Sequence, residues 1–282
     1  MNKQQGFTLI ELMIASLIGL IVMGGLMNLF ITTNRSVALS DALSQNQETG
    51  RFAMDYLTKF IRQAGYTDDY TEQGIPAIFA PFGRAGQTNY VTCATLPESF
   101  ACSADNPNDA LGDRLSIPFN VGPGQEVRSC TGTIVKGNDT TQYYVNVFWV
   151  SNTAANMRDL RCQTYDKGAN DWFDDPVTII NNVESFEFQV GLAGGEDSKY
   201  VRRYVSVDTM NDEIGLTNVR SIRIALLTTS MDATDSNKVQ TTKKERIYSL
   251  LDAPYISKTD GNLRNIFTTT IELPNLIEPA GS

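Results

Sequence analysis

From Phe7 to Ile31 (FTLIELMIASLIGLIVMGGLMNLFI) the chain is almost continuously apolar, and Glu11 is the one charged residue in the run. Apolar residues then recur at helical spacing: Val37, Ala38, Ala42, Leu43, Phe52, Ala53, Tyr56, Leu57, Phe60, Ile61 and Ala64. Gly65 follows where a C-capping glycine would stand. Together these stretches predict one helix from Phe7 to Gly65, about 88 Å long. Its first part, residues 7–31, would extend about 37 Å and can cross a hydrocarbon core of about 30 Å with some tilt. Its second part, residues 32–65, is amphipathic and is predicted to lay one face on a globular head. Phe52, Tyr56 and Phe60 read as part of that helix-to-sheet core. Gly24-Gly25 softens the first part locally, by about 1 kcal/mol per glycine relative to alanine.

Beyond Tyr66 the period changes. Turns rich in Gly, Pro, Asn and Asp separate short alternating runs. The predicted strands are 114–121, 142–150, 160–165, 183–191, 200–207, 219–228 and 262–273. In VESFEFQV, Phe186, Phe188 and Val190 alternate with polar residues, and VRSIRIALL does so less regularly; both predict half-buried antiparallel strands. The expected class is therefore α+β: a long N-terminal helix packed on an antiparallel β-sheet head spanning 66–282.

Composition narrows the chemistry. The chain has no histidine, which removes Ser-His and Cys-His catalysis and His-ligated zinc. No nucleophile–base pair or phosphate loop is visible, so an enzyme is not expected. The net charge of −9 and the lack of a dense Lys/Arg tract argue against nucleic acid as a direct partner. The acidic groups Asp68-Asp69, Asp174-Asp175 and Asp232 to Asn237 read as solvated turns. The last lacks the glycine and terminal glutamate of an EF-hand loop, so no metal or cofactor is expected. Lys243-Lys244-Glu245-Arg246 reads as an exposed strand entry, and Trp149 and Trp172 as core or interface residues.

The four cysteines, Cys93, Cys102, Cys130 and Cys162, form no CxxC pair. Behind a membrane segment an even count suggests two disulfides in an oxidising compartment. Three connectivities are open, and the short loop favours Cys93–Cys102 with Cys130–Cys162.

The N-terminus admits three readings. A cleaved secretory signal would normally carry an apolar region of about 7–15 residues, shorter than this one. An uncleaved signal anchor explains the length but not Glu11. The third reading rests on Lys3-Gln4-Gln5-Gly6 followed by Phe7-Thr8-Leu9-Ile10-Glu11. This stretch resembles the processing site of type IV prepilins. The resemblance implies cleavage by a prepilin peptidase between Gly6 and Phe7, leaving 1–6 as the leader, and N-methylation of Phe7. It also places the family's acidic residue at Glu11. An unpaired acid at the bilayer centre costs roughly 2.5–3.5 kcal/mol, so such residues usually have a partner. The new amine at Phe7 lies one helical turn from Glu11, and in a filament it could pair with Glu11 of a neighbouring subunit. Glu11 snorkelling to the interface is the plainer alternative.

The pair VESFEFQV and VRSIRIALLTTS, with the late strand LRNIFTTTIEL, is similar to the minor pilin PilW and to the type II secretion pseudopilin GspJ. This likeness implies a type IV pilin fold and a minor subunit whose partners are other minor pilins, the major pilin and an inner-membrane assembly platform. It implies an inner-membrane single pass with a periplasmic head, and a place in a surface pilus after assembly. A GspJ-like secretion subunit and a tip-located adhesive module are the alternatives.

Overall fold

The computed structural model describes residues 8–65, 77, 78, 80, 101–105, 111–154, 157–194, 200–210, 218–230 and 244–276. Helix α1 runs from Leu9 to Ile61 as 53 residues, about 80 Å, with no break at Gly24-Gly25. It starts two residues later than expected because Thr8 is extended and caps it. It ends four residues before Gly65, with Arg62 as C-cap. Gly65 is left-handed, at φ 72°. The Asn275 side chain donates to the carbonyls of Arg62 and Ala64, both at 3.1 Å, so a C-terminal segment satisfies the helix end.

Thirteen strands are seen among the described residues. One sheet is built from β1 (Leu115–Val121), β4 (Gln142–Ala154), β5 (Met157–Asp166), β6 (Asp171–Trp172) and β7 (Val177–Asn181). Its order is β1-β4-β5-β6, and β7 also pairs with β5. Pro118 lies in β1, an edge strand, where its missing N–H leaves no gap in a central ladder. A hairpin of β2 (Glu126–Arg128) and β3 (Ile134–Lys136) flanks this sheet. The second sheet has the order β13-β10-β8-β9, from β8 (Val183–Ala193), β9 (Val201–Val205), β10 (Val219–Thr229) and β13 (Arg264–Glu272). All of its pairings are antiparallel. A last hairpin joins β11 (Arg246–Tyr248) to β12 (Ile256–Lys258).

The main core lies between α1 and both sheets. Leu57, Phe60 and Ile61 of the helix meet Ile117, Phe148, Leu160 and Ile180 of the first sheet and Phe186, Phe188, Ile222 and Ile224 of the second. Phe188 faces Ile224 and Phe186 faces Leu226 across the central ladder. Here the expectation of half-buried strands is corrected. β8 and β10 are buried along nearly their whole length on both faces. One face meets α1; on the other, Ala225 and Leu227 are covered by Leu250, with Tyr248 and Ile256 of the β11–β12 hairpin beside it. That hairpin was not expected, because three-residue strands carry too few positions to show a period.

A buried ion pair pins the end of β13. The Arg264 guanidinium donates to both Glu184 carboxylate oxygens, at 2.8 and 2.7 Å. Its side chain is 2% exposed and that of Glu184 11%. Asp260 adds a second carboxylate at 2.5 Å, and Lys258 reaches Glu184 at 3.8 Å. Truncating one partner of such a pair leaves the other charge buried and poorly compensated. Arg264→Met is therefore expected to destabilise the head by about 3–5 kcal/mol. Chemical unfolding of the detergent-solubilised protein reads this directly, and a loss below ~1 kcal/mol would show that water already compensates Glu184.

Candidate functional site: the helix start and its anchorage

At its first turn α1 carries a reciprocal cap. The Glu11 carboxylate accepts from the Thr8 backbone N–H at 3.0 Å and from the Thr8 hydroxyl at 2.8 Å. The Glu11 N–H donates to the Thr8 hydroxyl oxygen at 3.4 Å. This is a capping box, and it also places an acid at the positive end of the helix dipole. The sequence reading gave Glu11 a partner at Phe7 and did not see the cap, although Thr8-Leu9-Ile10-Glu11 is the T-x-x-E signature of one. Gly6 and Phe7, the expected processing site, lie outside the described residues.

Every residue from Thr8 to Ala38 is exposed. The helix is long and apolar enough to cross a membrane. Its hydroxyls are satisfied internally: Ser16 donates to the Met13 carbonyl, Thr32 to Asn28 and Thr33 to Leu29, at 2.8–2.9 Å. Such back-bonding removes the hydroxyl's demand for water, so these positions suit an apolar surrounding.

The head grips only the second half. Contact begins near Leu39, and the first fully buried residue is Asn46, whose Oδ1 accepts from the buried Thr228 hydroxyl at 2.5 Å. Gly50 lets the helix approach β13 closely, since a Cβ there would stand 2.2 Å from the Phe267 ring. Tyr56 donates its hydroxyl to the Cys130 carbonyl. Of the three aromatics expected in the core, Phe60 is buried, Tyr56 is half-buried and Phe52 is 53% exposed, in ring contact with Tyr56. Phe52 is thus corrected from core to surface: Asn46, Gly50, Ala53 and Leu57 form the buried face of the helix, and Phe52 stands off it.

The cysteines separate into two groups. Cys102 is disulfide-bonded, and Cys93 lies outside the described residues. Cys130 and Cys162 are free buried thiols. Cys130 Sγ stands 3.9 Å from the Thr164 hydroxyl, two residues along β5 from Cys162, and both cysteines belong to the main core cluster. The two cysteines expected to form the second disulfide are thus both buried in the main core.

Asp174, read as a solvated turn, is a structural hub. Its Oδ1 accepts from the Thr164 N–H at 2.9 Å, its Oδ2 accepts from the Thr131 hydroxyl, and its carbonyl accepts from Gln163 at 2.7 Å. Asp232 to Asn237 and Asp68-Asp69 lie outside the described residues. Among the described residues no group of three or more His, Cys, Asp or Glu could hold a metal ion. Trp149 and Trp172 pack against a small cluster formed by Ala101, Val145, Val147 and Tyr165.

The head's most perturbed acid is Glu187 on β8, which is buried with Asp113. Burial first, then the Asp113 charge, pushes its carboxyl up to about 9. Asp113 is held by the Phe188 N–H at 2.9 Å, and the Ser185 hydroxyl donates to Glu187 at 3.0 Å. Asp105 adds a further negative charge nearby. A protonated Glu187 beside Asp113 avoids two like charges in the buried site.

Comparison with known proteins assigns these parts to a class. The Prokaryotic N-terminal methylation motif matches residues 1–27, and Type IV Pilus-assembly protein W matches residues 147–275. Among solved structures, a type IV-like pilin from Thermus thermophilus is similar at 17% identity and a TM-score of 0.39, over 84% of this chain and 96% of that one. No curated protein matches the chain. With a methylation motif on an exposed apolar helix and an antiparallel β head behind it, the chain is a type IV pilin-like protein. The second match runs from within β4 to the end of the described head, so this part of the chain is similar to Type IV Pilus-assembly protein W.

The Glu187 carboxyl generates a pH signature. An unfolded glutamate titrates near ~4.3. Between there and about 9 the folded head holds a proton that the unfolded chain has released. Stability from this site is thus complete below the unfolded value and is lost as pH rises through about 9. Glu187→Gln keeps a neutral side chain beside Asp113 and should flatten that decline. Thermal unfolding from pH 5 to 9 checks it, and parallel declines in both proteins would assign the dependence to other groups.

Proposed function

We propose that this chain is a minor pilin processed between Gly6 and Phe7, N-methylated at Phe7, and incorporated into a type IV pilus, within a tip or priming complex that promotes assembly. On this reading residues 1–6 are the leader, 7–31 the membrane and filament-core segment, 32–65 the helix continuation and 66–282 the periplasmic head. The observation that carries it is the wholly exposed apolar half of α1, ending in the Thr8–Glu11 cap immediately after the processing motif. Before assembly, lipid of the inner membrane would cover this surface; afterwards, the helices of other minor pilins and of the major pilin would. The PilW match supports the assembly role.

Glu11 would then do two things. Within the subunit it caps its own helix. In the filament its charge would meet the Phe7 amine of a neighbour and set the register of docking. Two substitutions separate these roles. Glu11→Ala removes both. Glu11→Gln keeps a side chain that can serve in a capping box but removes the charge. Both variants are expected to be cleaved normally, and both to enter filaments poorly. Peptide mass spectrometry on sheared filaments, with the membrane fraction alongside, reads processing and incorporation together. Normal incorporation of Glu11→Gln would leave capping as the only role of Glu11. The unaltered protein should yield a peptide beginning at methylated Phe7, at trace stoichiometry relative to the dominant pilin. Processed protein confined to membranes would favour a secretion pseudopilus, and Met1 still attached would overturn the reading.

A further inference from the structure

The Cys130–Cys162 dithiol is placed where a covalent bond would fix the docking of α1. Cys162 lies on β5, opposite Phe148 of β4 and Val177 of β7. Thr164 stands two residues on and so shares its face. Cys130 lies in the turn before β3, and its Sγ is 3.9 Å from the Thr164 hydroxyl. Its N–H donates to Asn146 Oδ1 at 3.0 Å, and the Thr164 hydroxyl donates to the same oxygen at 3.2 Å. The turn is thereby held against β4 and β5, with Cys130 on the face of β5 that Thr164 and Cys162 share. Above them, Tyr56 of α1 donates to the Cys130 carbonyl, and Phe60 contacts the Phe148 ring at 6.0 Å between centroids. Cys130 and Cys162 are 1% and 0% exposed, in the same core cluster as Leu57 and Ile61.

We infer that Cys130 and Cys162 are the site of a second disulfide, formed by thiol–disulfide exchange while the head folds and closing the floor on which α1 docks. Cys102 is already disulfide-bonded, so the fold is one that carries a disulfide. The order of events follows from burial. Once the core has closed, neither thiol can be reached, and burial holds the Cys130 thiol well above the ordinary thiol range, so little thiolate exists to react. Exchange must therefore precede packing. One cysteine thiolate attacks a sulfur of a protein disulfide oxidant, and one oxidant thiolate leaves. The second cysteine thiolate then attacks the resulting mixed disulfide. The Cys130–Cys162 bond forms, the oxidant leaves as a dithiol, two electrons pass to it, and it takes up the two protons that the cysteines lose.

The test is differential alkylation of full-length protein taken directly from cell envelopes. Free thiols are blocked with iodoacetamide under denaturing conditions. Disulfides are then reduced, and the released thiols are labelled with N-ethylmaleimide. Both Cys130 and Cys162 are expected to carry only the second label, and a non-reducing digest should contain a peptide joining them. Iodoacetamide on both would overturn the inference, as would either cysteine joined to Cys93 or Cys102. The consequence for the helix is read on a Cys130→Ala, Cys162→Ala double variant. Closing a loop of this length predicts a loss of roughly 10 °C in Tm when the bond is absent. Amide exchange of Ala53–Ile61 should also become faster. An unchanged Tm together with unchanged exchange in this stretch would show that no bond clamps the helix.

Discussion

The structure depends on one unbalanced surface. In α1 every residue from Leu9 to Ala38 is exposed, and among them Leu9, Leu20, Met23 and Leu29 are each at least two-thirds exposed. Soluble monomers rarely expose apolar patches beyond a few hundred Å². Here the apolar stretch from Leu9 to Ile31, about 35 Å of helix, is bare on all sides. An amphipathic helix would need one partner on one face; a rod apolar all round needs a surrounding medium of lipid or a bundle of like helices. The internal back-bonding of Ser16, Thr32 and Thr33 belongs to the same constraint, because each hydroxyl is satisfied without water.

A helix held at one end only must be held firmly there. The grip is distributed along about four turns and uses different chemistry at each. Asn46 meets the Thr228 hydroxyl, Gly50 admits Phe267, Tyr56 hooks the Cys130 carbonyl, and Leu57, Phe60 and Ile61 enter the shared core. Asn275 then closes the helix end from the far terminus of the head. The second sheet supports this from behind. Since β8 and β10 are covered on both faces, the sheet under the helix is an interior layer, and its strands cannot slip by a residue without moving Phe186, Phe188 or Ile224 out of the core.

How much of this the sequence disclosed varied with the range of the interaction. The long helix and the strands carrying Phe148, Phe188 and Ile224 were legible because their apolar periods run over many residues. The N-terminal methylation motif was legible as a local string. The short strands of the two small hairpins were not, nor was the double burial of β8. Glu187 looks like an ordinary outward polar residue in VESFEFQV, and only the loop bearing Asp113, brought across from far away in sequence, makes its position interior. Asp174 misled for the same reason: its identity as a turn acid is local, whereas its contacts with Thr131 and Thr164 are tertiary. The positions of Cys130 and Cys162 lie between these cases. Sequence leaves three connectivities open, and the fold places Cys130 and Cys162 in the same buried cluster.

The capping box changes the meaning of the acid in the apolar segment. An isolated carboxylate in hydrocarbon is costly because nothing replaces its hydration. Glu11 already accepts from the Thr8 hydroxyl and backbone N–H, so part of that hydration is replaced before any other subunit arrives. The helix end gains too, since two of its orphan donors are satisfied. A carboxylate, however, has about four lone-pair sites, and the cap uses one oxygen, Oε2. The other oxygen remains able to accept from a further donor without dismantling the cap. Local capping and docking to a second subunit are therefore compatible in a single residue. The cap stiffens the first turn and limits where the free oxygen can point, which reduces the ordering needed when a neighbouring cation arrives.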